Sequence, residues 1–343
     1  MHIRIRKSWL LLSCVAALLL VHTSPARGQV VSPLQAGHYT PNLQNIRDMA
    51  NPPPGLFVLW YNAYLWSNTY KDRNGNSFES IELSQIHPTL PDVAVDLSVK
   101  GFTTVPSLFW ASRFKVLGAN YMAGAVYSYT SADASVVTER PGIIEDTLIT
   151  RQVDEKVSGL GDLFVMPLGL SWGQEKFDAT LLYGFHAPTG KYETGGSDNM
   201  GLGFWTHQFQ GYGYFYPVPD KSTAVMVGLT YELNGTIKDA DVKPGNRFTL
   251  EYGISQFLSE RLEVGVAGGH NWQVSDDSGE DVYWDPAVRD RKNMLIFNVS
   301  VWPVPERLML NAKYGFDYGA RQRFQNNYLM LNLLFVTNVL TGG

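Results

Sequence analysis

Residues 225–267 read VMVGLTYELNGTIKDADVKPGNRFTLEYGISQFLSERLEVGVA, and three stretches of strict alternation follow one another within them. Val225, Val227, Leu229, Tyr231 and Leu233 alternate with Met226, Gly228, Thr230 and Glu232. Phe248, Leu250, Tyr252 and Ile254 alternate with Arg247, Thr249, Glu251, Gly253 and Ser255. Leu262, Val264 and Val266 alternate with Arg261, Glu263, Gly265 and Ala267. A period of two puts one set on each face of a β-strand. The connections differ in kind: residues 234–246 form a long polar loop, whereas Ser259-Glu260 is a tight turn. A soluble sandwich has no reason to sort its loops by length, strand after strand. A membrane-spanning barrel does, with short turns at one rim and long loops at the other.

The rhythm extends in both directions. Upstream, residues 55–66, 93–112 and 118–130 read as strands, followed by a polar loop of about 29 residues. Phe164, Met166, Leu168, Leu170 and Trp172 then fall on one face, and Phe177, Ala179, Leu181, Tyr183 and Phe185 form the next stripe after the turn Gly173-Gln174-Glu175. The long loop 188–201 leads to an aromatic strand at 202–216. Downstream, Leu295, Phe297, Val299 and Val301 precede the short turn 303–306. Leu308, Leu310, Ala312, Tyr314 and Phe316 come next, and residues 324–336 make the last strand. The count is about twelve, an even number, which puts both chain ends on the short-turn side. The expected fold is all-β: a transmembrane antiparallel barrel with an irregular amino-terminal segment.

Hydrocarbon sets the orientation of each face. A Lys or Arg turned toward lipid near the midplane costs about 2–4 kcal/mol, so the polar set must face inward. Glu232, Arg247, Glu251, Arg261, Glu263, Asn311, Lys313 and Asp317 are therefore the expected lining of the lumen. Trp172 and Phe257 sit beside short turns, where an aromatic girdle belongs. Trp302 is out of phase with its stripe, which calls for a bulge or an inward placement.

The start of the chain reads as an export signal. Arg4, Arg6 and Lys7 precede an apolar run from Trp9 to Val21, and Ala26-Arg27-Gly28 is a small-x-small cleavage site. That run is too short for a spanning helix. Cys14, the only cysteine, lies within it; a lipoprotein reading is weakened because the apolar run continues past it. Four of the 27 Lys+Arg and none of the 32 Asp+Glu fall in residues 1–28, so the exported part carries 23 − 32, a net −9. An acidic chain without a basic cluster argues against a nucleic-acid partner. The expected divisions are a signal peptide at 1–28, an irregular segment at 29–54 ending in Pro52-Pro53-Pro54, and a barrel at 55–343, located in a bacterial outer membrane. A twelve-strand lumen is too wide for side chains alone to fill. The segment 29–54 either threads inward as a plug, with His38, Arg47 and Asp48 meeting lumen charges, or hangs as a tail.

Several short pieces, taken in order, carry a resemblance. They begin with Gly37-His38-Tyr39, Asn45-Ile46-Arg47-Asp48 and Pro52-Pro53-Pro54-Gly55. Gly159-Leu160-Gly161-Asp162, Pro188-Thr189-Gly190-Lys191-Tyr192, Tyr231-Glu232-Leu233-Asn234-Gly235, Pro244-Gly245 and Asp276-Asp277-Ser278-Gly279 follow. Together they resemble the outer-membrane family named for the meta-pathway of phenol degradation, a relative in kind of the long-chain fatty acid transporters. The resemblance implies passive uptake of small hydrophobic, often aromatic, compounds, and no catalytic residue. The partners expected are outer-membrane lipid, the small hydrophobic substrate and the barrel-assembly machinery, with no cofactor. Barrels commonly end on an aromatic that this machinery reads, whereas here Phe335 is followed by eight residues.

Other readings remain beside this one. A structural or adhesive barrel would contact partners through its loops, and a barrel enzyme would need His186, His207 or His270 beside a Ser with an orienting group. Asp276, Asp277, Glu280 and Asp281 lack the fixed spacing of a calcium loop, so a solvated loop is expected and no metal. Pro188-Thr189-Gly190-Lys191 lacks most of a phosphate loop. Tyr212, Tyr214 and Tyr216 are either a greasy slide for aromatic cargo or interface packing.

Overall fold

The computed structural model describes residues 37–337, apart from 86–90, 142–146, 195 and 197. The expected signal peptide, residues 29–36 and the last six residues lie outside the described ones. The strands, in chain order, are β1 (Gly55–Ser67), β2 (Tyr70–Lys71), β3 (Ser80–Ile81), β4 (Val93–Val116), β5 (Ala119–Val126) and β6 (Tyr129–Pro141). Then come β7 (Leu148–Leu160), β8 (Leu163–Gly173), β9 (Phe177–Ala187), β10 (Thr206–Phe215), β11 (Thr223–Asn234) and β12 (Arg247–Ser259). The last are β13 (Leu262–Gln273), β14 (Arg291–Val304), β15 (Leu308–Arg321), β16 (Arg323–Phe324) and β17 (Asn327–Thr337).

Twelve of these close a barrel, in the order β1, β4, β5, β8 to β15, and β17 back to β1, with antiparallel neighbours throughout. Closure leaves no open sheet edge, the condition for strands to sit in hydrocarbon. The short turns, for example after β8, β12 and β14, share one rim with Gly55 and Thr337; the long connections share the other. From β9 to β15 the apolar stripes point outward as the alternation requires: Leu181, Val227, Ile254, Phe297 and Leu310 are each about half exposed on the wall, while Thr180, Glu232, Glu251, Asn298 and Asn311 are buried inside.

Three features depart from the expected pattern. The supposed loop after 130 is instead a hairpin, β6–β7, paired on the upper half of the 24-residue β4 and standing beyond the membrane rim. Its outer face carries Lys100, Asp133, Asp154 and Lys156 and its inner face Val95, Leu97, Val136 and Val153. Above the lipid nothing penalises polar groups on the outside, so the lipid-facing code is absent. Second, a register shift between Val165 and Leu168, at Pro167, breaks the stripe of β8. Phe164 and Met166 are buried inside, whereas Leu168 is exposed on the wall; a proline lacks the N–H that the ladder needs. Third, the register also shifts between Val301 and Val304, and Trp302 lies against the inner cavity.

At the long-loop rim, Phe204, Ile237, Val242 and Trp284 from three successive loops pack into a small core. Asp277 accepts bonds from Gly245 N–H (2.8 Å), Gln273 Nε2 (2.9 Å) and Trp284 Nε1 (2.8 Å), and so ties the loop after β11 to the loop after β13. Its neighbour Asp276 pairs with Arg289.

Candidate functional site

The site is the lumen, and the irregular segment before β1 runs through it. Gly37 to Tyr39 sit among Asp162, Thr206, Glu232 and Arg247, at the long-loop ends of their strands. Arg47 reaches the carbonyls of Lys221 and Ser222 in a short turn, both at 2.8 Å. The segment thus descends the full height of the barrel before β1 climbs back. A Cβ on Gly37 would lie 2.3 Å from Arg247 Cδ and 2.6 Å from Glu232 Oε2, so only a glycine passes there.

The wall of β10 to β15 holds this segment by hydrogen bonds. Tyr39 N–H donates to Glu232 (2.9 Å), and the Tyr39 hydroxyl and Asn42 N–H both donate to Glu251. Lys313 Nζ donates to three consecutive carbonyls, those of Asn42 and Leu43 at 3.0 Å and that of Gln44 at 2.7 Å. Arg47 Nε donates to Glu263 at 2.7 Å and to Ser255 Oγ at 2.8 Å. His38 lies between Thr206 and Asp162, with 2.9 Å to each. Burial tends to raise the Asp162 carboxyl, but the bonds from His38 and from Leu202 and Gly190 N–H outweigh it and hold the group below the ordinary range. Within the segment, Asp48 accepts from Asn45 N–H and from the hydroxyl of Tyr61, both at 2.7 Å; burial nevertheless pushes its carboxyl up.

Of the sequence-derived positions, Glu232, Glu251, Glu263 and Lys313 are buried and contact the segment directly. Arg247 pairs bidentately with Asp290 at 2.6 and 2.7 Å, and Asp290 also takes Arg323. Asp317 accepts from Tyr328 at 2.8 Å and stands 3.7 Å from Lys292, so these two positions build a charge network at the long-loop end. Asn311 bonds Ser300 and Asn332 rather than facing water. Arg261 is a correction: it is exposed in the turn before β13, where its N–H donates to Ser259 Oγ at 3.3 Å and its carbonyl accepts from Trp302 N–H at 2.8 Å. It keeps the inward phase of its strand but lies beyond the ladder. Tyr212, Tyr214 and Tyr216 point inward and are buried, away from any membrane interface; Tyr212 meets the Tyr39 hydroxyl at 2.8 Å and Tyr216 donates to Asp178 at 2.7 Å. The sequence reading missed Tyr61, Asp162, Asp178 and Thr180. For the last two, inward phase on β9 was the available signal.

The opposite wall, formed by β1, β4, β5 and β8, is apolar, and two cavities lie against it. One, of about 470 Å³, opens toward the short-turn rim and is lined by Met49, Phe57, Leu59, Phe109, Met122 and Leu334 among others. The second, of about 290 Å³, lies toward the long-loop rim against Leu43, Ala63, Val105, Val126, Phe164 and Met330, with His38 and His186 at its edge. Phe109 lies flat on the wall because Gly124 beneath it has no side chain; a Cβ there would come within 2.2 Å of the ring. Outside, where β5 gives way to β6 and β7 to β8, a shallow hollow of about 230 Å³ shares Ser107 and Val126 with the second cavity.

Comparison with known proteins agrees with this architecture. The sequence model of a family described as "Putative MetA-pathway of phenol degradation" matches residues 86–333. The crystal structure of an outer membrane channel from Pseudomonas putida F1 aligns with a TM-score of 0.60 at 13% identity, over 84% of this chain and 98% of that one, a likeness of fold. A FadL homologue of Pseudomonas aeruginosa gives a TM-score of 0.40 at 12% identity over 85% of this chain and 92% of that one. OmpT of Vibrio cholerae gives 0.36 at 7% over 84% and 99%. No curated protein matches the chain by sequence.

Proposed function

The chain belongs to the family of the MetA-pathway of phenol degradation, and on that premise we propose that this outer-membrane barrel admits small hydrophobic compounds, aromatic ones included, by passive diffusion. The observation that carries the proposal is the split lumen. Charged and amide groups of β10 to β15 are occupied by the segment 37–54, which acts as a plug, and the volume left over is bounded by apolar side chains on the other wall. A cavity of about 290 Å³, where aromatic and aliphatic side chains line the wall beside hydroxyl, amide and imidazole groups, suits a molecule of one ring. Water-loving solutes find no comparable track, because most of the charged groups of the other half are already bound to the plug or to one another. A barrel serving only as scaffold would have no use for apolar vacancies in line along one wall.

The test is uptake by cells with and without the protein, supplied with dilute labelled single-ring aromatics, short alkanes and a sugar. Uptake of one or more hydrophobic compounds should fall severalfold on deletion and that of the sugar should not change. Equal uptake of every compound in the two strains would overturn the proposal.

A further inference from the structure

The two cavities share no lining residue, and the boundary between them crosses three elements. On β1 it falls between Leu59, which lines the lower cavity, and Tyr61, which lines the upper. On β4 it falls between Phe109 and Ser107, and on the plug between Asn45 and Gln44. At this boundary the wall of β1 meets the plug through the hydroxyl of Tyr61, which donates to Asp48 Oδ2 at 2.7 Å. Both flanks of that contact are rigid. Asp48 is fixed by Asn45, the preceding carbonyls are fixed by Lys313, and β1 is paired along its whole length on both sides. Tyr61 is 3% exposed and lines the upper cavity, while its hydrogen-bond partner Asp48 and the next inward residue of β1, Leu59, line the lower one.

We infer that Tyr61 is the residue that sets the passage between the two chambers: its ring is the partition, and its bond to Asp48 holds the partition shut. The inference rests on the uptake reading for its purpose, but the geometry can be tested without it. Rotation of this one side chain releases Asp48 and connects the chambers while the plug keeps its contacts with Glu232, Glu251, Glu263 and Lys313. The plug need not leave the barrel for a solute to pass. A wide solute is rejected by the room the ring can clear, so Tyr61 determines specificity as well as closure.

The single cysteine, Cys14, lies in the expected leader, so single cysteines placed in the barrel report cleanly on access. Leu59→Cys marks the lower chamber and Ala63→Cys the upper. Cells lacking general porins are labelled from outside with a small membrane-impermeant thiol reagent. With Tyr61 present, Leu59→Cys should react at least tenfold more slowly than Ala63→Cys. Adding Tyr61→Ala should raise the Leu59→Cys rate at least tenfold and leave Ala63→Cys within twofold. Tyr61→Phe, which keeps the ring and loses only the bond, should give a rise of about threefold and guards against a folding failure of the alanine variant. The inference is overturned if Leu59→Cys already reacts as fast as Ala63→Cys, or if neither Tyr61 variant changes its rate. Faster labelling in the variants alongside unchanged uptake would leave the partition standing and sink the transport reading instead.

Discussion

The two halves of the barrel interior follow different rules. From β10 to β15 the inward residues include Gln208, Glu232, Arg247, Glu251, Glu263 and Lys313, all buried and nearly all engaged by the plug or by the rim network. Across the lumen, β1, β4, β5 and β8 present Leu59, Ala63, Val105, Phe109, Met122 and Phe164, and the space in front of them is partly empty. A buried charge is tolerable only with partners, so the charged half dictates where the plug must lie. Apolar walls make no such demand and can border a void without leaving a polar group unsatisfied. The difference teaches that the charges in this lumen are chiefly an anchor, and it leaves the less charged part of the lumen as the route for the proposed cargo.

The most severe way to break this asymmetry is to remove residues 29–54. Glu232, Glu251, Glu263 and Lys313 would then face open water, and single-channel conductance in planar bilayers should rise severalfold; unchanged conductance would show that the segment does not block the lumen. Next in size is Lys313→Met, which withdraws the donor from three plug carbonyls and the cation nearest Asp48 and Glu251. Breaking a buried charged contact by removing one partner costs about 3–5 kcal/mol, readable as a lower urea midpoint for the folded barrel, whereas Ala63→Val in the apolar half should shift it by less than about 1 kcal/mol. Leu310→Arg tests the outer face and should lower stability by about 2–4 kcal/mol; a stability equal to that of the parent would reject the lipid-facing assignment. Asn311→Arg, on the inward face of the same strand, should also destabilise the barrel, because Asn311 is buried against Ser300 and Asn332.

The smallest effect is at the upper end of the plug. Asp162 has its folded pKa held below the ordinary value of 3.8, so it contributes stability above that value and loses it as pH falls through the lowered pKa. Asp162→Asn should therefore destabilise the barrel at pH 7, and the gap between variant and parent should close below about pH 3.8. A gap that stays constant down to pH 2 would mean that ionisation of Asp162 does not matter to the anchor.

How much of this was legible along the chain depends on where each residue sits relative to hydrocarbon. The stripes of β9 to β15 could be read directly, because lipid enforces apolar residues on every second position and punishes exceptions. The β6–β7 hairpin could not, since it stands in water on its outer side and its polar face resembles a loop. Pro167 could have warned of the phase change in β8, yet Phe164 and Leu168 look interchangeable until the shifted register puts one inside and the other outside. Arg261 shows the opposite limit: inward phase is necessary for a lumen position but says nothing about whether the ladder still runs there.

Periodicity alone was enough to determine the closed antiparallel barrel, its inside and outside and the side on which each loop falls, because a two-residue repeat against a membrane admits one arrangement of faces. It also marked Glu232, Glu251, Glu263 and Lys313 as inward. Which of these would meet Tyr39, Asn42, Arg47 or the backbone of Leu43, and that Tyr61 would reach Asp48, was decided only in three dimensions. Those contacts join residues about 190 to 270 positions apart, apart from the 13 that separate Tyr61 from Asp48, and they exist because the barrel closes around a segment whose own sequence has no period. The chambers themselves are unwritten in the chain: they are the volume left when a charged half and a largely apolar half share one lumen and the charged half makes most of the bonds to the plug.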